Sequence, residues 1–251
     1  KNIISVIIPY FKKKNFFEKT IKSIMNQSYK NFEIILIYDD QNQNELIFVK
    51  NVLKKIKNKK ILVNKNNLGP GNSRNKGVLK AEGDYVAFCD ADDVWKKNKL
   101  LNQFNFMKKN KLNFSHTSYS IIDRYSKTIG KFRIKKELNY QNLLKSCDIG
   151  LSTVMISKKT LLKNKFCLLK TKEDYELWLR LSKKEKLLRG LDKNLSSWRM
   201  TKNSLSSSLV QKLLDSFRLY YCYEKYNILI SSFYVVRLTS FALLKKIKIY
   251  L

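Results

Sequence analysis

The sequence predicts an α/β domain whose mostly parallel sheet is flanked by helices, and three observations carry that prediction. Short, largely apolar runs recur at residues 3–8, 34–38 and 85–89, the length and character of strands buried on both faces. Stretches with apolar residues at helical spacing lie between them, giving a repeated strand-helix-strand order. The polar residues gather just past the runs, at Pro9-Tyr10-Phe11, Asp39-Asp40 and Asp90-Ala91-Asp92-Asp93. In sheets of this kind, ligands bind beyond the carboxyl ends of the strands.

The elements follow in order. Phe17, Ile21, Ile24 and Met25 place a helix in 16–28. A second helix at 45–57 leads to a short strand at 61–64, and a third over 72–80 precedes the strand at 85–89. Beyond it the pattern predicts a helix over 95–109, a strand over 113–123 and a short helix over 140–147. A strand at 152–156 and an amphipathic helix over 173–186 come next. The Ser-rich stretch 195–208 reads as a loop, and from Leu209 aromatic and basic residues mix at helical spacing to the end.

Composition narrows the class. The chain has 251 residues, 44% of them apolar, enough for one large α/β domain with a small appendage. A net charge of +31 points to a polyanionic partner. Of the 51 basic residues only eight are Arg, and the lysines are spread among Asn and Ile as biased base composition would also produce. A membrane surface or a diphosphate substrate therefore fits better than base reading, where Arg leads, and no nucleic-acid partner is expected.

Cys89, Cys147, Cys167 and Cys222 form no CxxC pair, which predicts a reducing, cytoplasmic setting. The single histidine, His116, argues against a His-rich zinc site and is expected to be structural. The first apolar run is too short for a signal peptide. The apolar stretch 228–244 is short for a membrane span and interrupted by Arg237, so any membrane contact would be peripheral, at the inner face of the cell membrane.

Five of the 20 acidic residues (Glu82, Asp84, Asp90, Asp92 and Asp93) fall within twelve positions. Like charges so close repel unless they are solvated or neutralised by a cation. Asp90 and Asp92 lie on the same side of the chain past a buried strand, where they could share a hard divalent ion that neutralises a diphosphate. The alternative is an acidic turn capping the helix that follows.

Taken together the motifs resemble family 2 glycosyltransferases of the GT-A fold, in that family's order. Ser5-Val6-Ile7-Ile8-Pro9-Tyr10 resembles the opening strand, and Glu33-Ile34-Ile35-Leu36-Ile37-Tyr38-Asp39-Asp40 the second strand with its acidic end. The segment from Asn67 through Gly69, Gly71, Arg74 and Asn75 to Gly77 resembles the one before the fourth strand, and Asp90-Ala91-Asp92-Asp93 matches the D-x-D motif. Glu173-Asp174 with Trp178 and Arg180 resembles the helix start that holds the base, and Trp198-Arg199 with Ser204-Leu205-Ser206 the closing segment. The match covers about residues 1–208, and no single piece is as specific as the combination.

The resemblance implies an inverting transfer of a sugar from a nucleotide-sugar donor, expected to be UDP-linked, to a carbohydrate or lipid-linked acceptor in bacterial surface-polysaccharide assembly. It implies that Asp92 coordinates Mn²⁺ or Mg²⁺ and that Asp90 contacts the ribose and supports the metal. Asp40 would bind the nucleobase, with Pro9 and Phe11 at the same pocket. Arg74 and Arg199 would position the donor, and Asp174 would take the acceptor proton. The organisation implied is a catalytic domain over 1–208, with a nucleotide-sugar-binding half at 1–94 and an acceptor-binding half at 95–208. A basic amphipathic helical tail over 209–251 would either pack on the domain or lie on an anionic membrane surface.

The sequence departs from the family in places. Gln41-Asn42-Gln43 replaces the usual Asp-Gly-Ser, Lys12 the usual Asn after the first strand, and Met200-Thr201 stands where a His often follows the Tyr-Arg pair. A nucleotidyltransferase would need glycines straight after the first strand, which Pro9-Tyr10-Phe11-Lys12 lacks. A purely binding, basic nucleic-acid or membrane module would leave the ordered acidic motifs unexplained.

Overall fold

The computed structural model describes residues 2–201 and 208–250. The first half is strand-helix-strand throughout: β1 (Ile4–Tyr10), α1 (Lys14–Met25), β2 (Phe32–Tyr38), α2 (Gln43–Leu53), β3 (Lys59–Val63), α3 (Gly69–Lys80) and β4 (Tyr85–Phe88). These strands lie parallel in the order β3-β2-β1-β4, with Ile4 opposite Phe32 and Tyr10 opposite Tyr38.

The second half is mixed. It comprises β5 (Val94–Trp95), α4 (Lys99–Lys109), β6 (Phe114–Ile122), β7 (Thr128–Phe132), β8 (Glu137–Leu138) and α5 (Tyr140–Lys145). A short 3-10 turn then leads to β9 (Met155–Ser157), α6 (Lys158–Lys163), α7 (Glu173–Glu185) and β10 (Leu188–Arg199). β9 runs antiparallel between β4 and β6 and so joins both halves into one sheet, while β10 lies parallel to β6.

Period-two alternation sorts the core into two layers. Ile4, Val6, Ile8 and Tyr10 face the side covered by α1, α2 and α4, with Phe17, Val49 and Leu100. Ile7, Ile35, Ile37 and Phe88 face the other side, with Val78 of α3 and Trp178 of α7. On that face α3 lies so close that a Cβ on Gly77 would come within 2.7 Å of the Ile7 side chain.

Three sequence expectations change. The helix expected from Trp95 starts at Lys99, because Val94 and Trp95 pair with Ser197 and Ser196 as a short strand. The strand expected over 152–156 is split into the 3-10 turn and β9. The loop expected from Leu195 is instead the end of β10 as far as Arg199, its small polar residues held between β5 and β6; residues 202–207 lie outside the described residues. His116 is fully buried with neither ring nitrogen bonded among the described residues, and burial pushes its pKa down to about 4, so it sits neutral inside the sheet.

The chain ends in α8 (Leu209–Arg218), one π-helical turn (Leu219–Tyr223) and α9 (Ile228–Tyr250). Leu219, Tyr220 and Leu238 join the same core layer as Trp178, so these helices pack on the domain. No helix among the described residues is long and apolar enough to cross a membrane.

Candidate active site

The carboxyl ends of β1, β2 and β4 come together because the strands are parallel and in register, and α3, α7 and β10 deliver further side chains to the same edge. Pro9 is the penultimate residue of β1, and Phe11 follows it, half-buried. Lys12 takes the left-handed conformation, φ 50°, which asparagine tolerates better than lysine and which gives a physical reason for the usual Asn there.

At the end of β2 the two aspartates divide the work. Asp39 accepts from the Asn64 side chain at 2.7 Å and from the backbone N–H groups of Leu68 and Gly69 at 2.8 and 2.9 Å, so it anchors the start of α3. Asp40 accepts from the N–H of Gln41 at 2.7 Å through Oδ1, while its Oδ2 is buried with no hydrogen-bond partner among the described residues. A buried, unmatched carboxylate oxygen is a standing cost unless a ligand donor meets it.

Past β4, Asp90, Asp92 and Asp93 occupy three different environments. Asp90 is partly exposed and accepts from Arg74 at 2.8 Å, and its N–H donates to Ser152 Oγ at 3.0 Å. The Asp92 carboxylate is mostly buried and holds the Lys13 ammonium at 2.5 Å. Burial raises its pKa and the lysine charge opposes that rise. Asp93 is fully buried and accepts from the Arg199 N–H at 2.8 Å.

The two arginines reach the site from inside the protein. Arg74 donates through Nη1 to Glu173 at 2.6 Å and through Nη2 to Asp90 at 2.8 Å, so it ties the D-x-D turn to the start of α7. Arg199 donates through Nε to the Asp92 carbonyl at 2.8 Å and through Nη1 to the Asp123 carbonyl at 2.8 Å, its guanidinium lying over the Phe16 ring. It therefore holds the backbone of the turn that carries Asp92.

Glu173 and Asp174 open α7 directly after Lys172, which is left-handed at φ 74°. Asp174 is half-buried, and its Oδ1 accepts from the Tyr175 N–H at 2.7 Å. Burial, and then the neighbouring Asp174 charge, push Glu173 up to about 7; burial also raises Asp174, against the pull of Arg74.

Lys13, Ser152 and the partner role of Glu173 were not legible in the sequence. The only signal for Lys13 was the run Lys12-Lys13-Lys14 straight after β1.

A divalent ion fits this donor set. Among the described residues no group of three or more His, Cys, Asp or Glu side chains forms a cage. Asp92 and Asp90 offer only hard carboxylate oxygens, and Asp92 already stabilises a cationic group at its rim. Such a sparse protein shell suits Mg²⁺ or Mn²⁺, which take further oxygens from phosphates and water.

Comparison with known proteins identifies the family and the fold. An Escherichia coli protein named UDP-Glc:alpha-D-GlcNAc-diphosphoundecaprenol beta-1,3-glucosyltransferase WfgD is 32% identical over 221 residues, covering 84% of this chain and 82% of the relative. The crystal structure of S. aureus TarS 1-349 with UDP-GlcNAc superposes with a TM-score of 0.68 at 19% identity, over 92% of this chain and 70% of that one. The mannosyltransferase PcManGT from Pyrobaculum calidifontis, in complex with GDP-Man and Mn²⁺, also gives 0.68, at 12% identity, over 92% and 69%. Residues 5–166 match the family described as Glycosyl transferase family 2. With strands, motifs and relatives in agreement, the chain belongs to glycosyl transferase family 2 and has the GT-A fold.

Proposed function

We propose that this protein transfers a hexose from a UDP-sugar, with inversion at the anomeric carbon, to a lipid-diphosphate-linked saccharide during assembly of a bacterial surface polysaccharide. The observation that carries the proposal is the pairing, through Arg74, of the Asp90–Asp92 turn with the Glu173–Asp174 helix start. An inverting displacement needs a leaving-group site and a base on opposite sides of one carbon, and this contact holds the two groups at a fixed spacing. The acceptor class is supported by the E. coli relative, whose name specifies a diphosphoundecaprenol acceptor.

In this reading Asp40 receives a uracil N–H on its unmatched Oδ2, with Pro9 and Phe11 lining that pocket. Asp90 meets the ribose. Asp92, with Asp90 in support, would hold Mn²⁺ or Mg²⁺, whose chemistry there would be to neutralise charge on the departing diphosphate. Arg199 fixes the backbone of that turn, and Arg74 orients Asp90. Asp174 takes the proton of the acceptor hydroxyl.

Transfer from UDP-glucose and other nucleotide sugars to a GlcNAc-diphosphate lipid, with Mn²⁺ or with chelator, tests the proposal. The expected product forms only with the metal and has the opposite anomeric configuration to the donor. Retention of configuration, or failure of every nucleotide sugar to bind, overturns it.

A further inference from the structure

The helix that follows the catalytic domain has its apolar residues on the side facing away from the protein. Asp215, Ser216, Leu219 and Tyr220 are buried against the domain. Leu209, Val210, Leu213 and Leu214 are 63%, 68%, 37% and 50% exposed. At 100° per residue Val210, Leu213, Leu214 and Phe217 share one continuous arc on the side of α8 away from Asp215 and Ser216. α9 repeats the pattern, with Leu229, Phe233 and Val236 exposed while Ser231 and Leu238 face inward. So much contiguous apolar surface marks a contact site.

Charge decides what covers it. A second copy of a chain with net charge +31 is repelled, whereas an anionic surface is attracted. Within 209–244 the two acids, Asp215 and Glu224, both point inward. Asp215 meets Thr171, and Glu224 holds Lys183 at 2.7 Å and the Tyr140 hydroxyl. Arg218 and Lys225 remain on the outside.

The buried face of α8 has a second connection. Asp215 Oδ2 accepts from the Thr171 N–H at 2.8 Å and from the Thr171 hydroxyl at 2.9 Å. Thr171 precedes Lys172, whose left-handed backbone carries the chain into Glu173 and Asp174. A non-glycine residue in that conformation is strained and persists only where its surroundings hold it. Asp215 is therefore the link between the outward apolar helix and the turn that presents the base.

We propose that α8 lies in the interface of an anionic lipid bilayer, and that Asp215 fixes the Asp174 turn relative to that surface so that the base meets an acceptor emerging from the membrane. Asp215 is a positioning residue acting through Thr171. The role assigned to Asp174 rests on the proposed sugar transfer, whereas the docking does not.

Two sets of measurements test this on the full chain. Sedimentation with phosphatidylcholine vesicles, with and without phosphatidylglycerol, should show binding that rises with the anionic lipid and falls with salt. The exposed-face variant L213E/L214E should lose binding at least ten-fold while keeping its melting temperature and its affinity for UDP. Equal binding to both vesicle types, or a dimer in solution that L213E/L214E dissociates, overturns the docking. For the tie, D215A and T171V should lower kcat with the lipid-linked acceptor about ten-fold at unchanged UDP affinity and vesicle binding. D215N, which keeps the acceptor oxygen, and T171S, which keeps the hydroxyl, should restore it. Normal kcat in D215A overturns the tie, as does equal loss in D215A and D215N. The vesicle measurements need no turnover, so they stand or fall separately from the proposed reaction.

Discussion

Arg74 donates through Nη1 to Glu173 at 2.6 Å, a buried contact between residues 99 positions apart in the chain. The arginine charge lowers the Glu173 pKa against burial and the repulsion of Asp174, and it also lowers that of Asp174. A base works deprotonated, so transfer should fall as pH drops through the range, raised by burial, in which the Glu173–Asp174 pair titrates. Arg74→Ala removes a cation that favours the charged form, so the acid limb of the kcat–pH profile should move to higher pH, with roughly ten-fold loss below it for each unit moved. A limb that stays in place would show that the pair is not the titrating group.

Asp174→Asn should bind UDP-sugar and metal as the parent does, yet lose transfer by on the order of 10²–10⁴-fold, the usual contribution of a general base. Glu173→Gln removes the charge that pairs with Arg74 while keeping an acceptor oxygen, and should lose less. Rates of both variants, with donor affinity measured alongside, decide the order; an inactive Glu173→Gln beside a normal Asp174→Asn would reverse the assignment.

Asp92→Asn should abolish metal-dependent donor binding without unfolding the domain, because Asp92 lies in a turn past β4 and its side chain bonds to Lys13 and to its own backbone, contacts an amide can largely keep. Calorimetric titration of UDP-sugar with and without Mn²⁺ reads this directly. Equal affinity in variant and parent would remove Asp92 from the metal.

Asp40→Ala should weaken UDP binding by about ten-fold or more, since it removes the acceptor offered to the base. It should also narrow the preference for UDP over nucleotides of other bases. Asp39→Ala should instead lower the melting temperature, because it frees the Leu68 and Gly69 N–H groups at the start of α3.

Lys99 is fully buried, bonded to Gln103 at 2.9 Å and set over the Trp95 ring, and burial lowers its pKa to about 7. The unfolded chain, with an ordinary lysine, binds more protons between that value and about 10.4, so this residue's contribution to stability should rise with pH across the window. The melting temperature of the parent should therefore gain on that of Lys99→Met from pH 7 to 10. Parallel curves would mean that Lys99 is charged inside the fold.

The sequence was most informative where the physics is local. Buried parallel strands write themselves as largely apolar runs, and the acids past β2 and β4 stood out against a lysine-rich background. It was least informative where distant segments decide the outcome. Ser196 and Ser197 have weak strand preference and are strand because Trp95, Val94 and β6 bond them from both sides. Nothing local separates Asp39 from Asp40; the distinction arises from Asn64, Leu68 and Gly69, which approach only one of them. That Arg199 bonds the Asp92 and Asp123 carbonyls, more than 70 positions away in the chain, is visible only once the chain is folded.

β9 joins the two parts of the sheet with only three residues. Contacts among β1, β2 and β3 close short stretches of chain, as between Ser5 and Glu33, 28 positions apart, whereas Gly83 reaches Ser5 from 78 positions away and Ser118 meets Asp192 across 74. Loop closure costs more as the stretch lengthens and slows assembly. The first three strands are thus favoured to condense as a nucleus, with β4, then β6 and β10 around the β9 bridge, zipping on later. Arg199 cannot grip the Asp92 turn, nor Glu173 meet Arg74, until that step is complete. Catalytic competence is consequently the last property a newly made chain acquires, and refolding followed by UDP affinity should lag refolding followed by the helical signal.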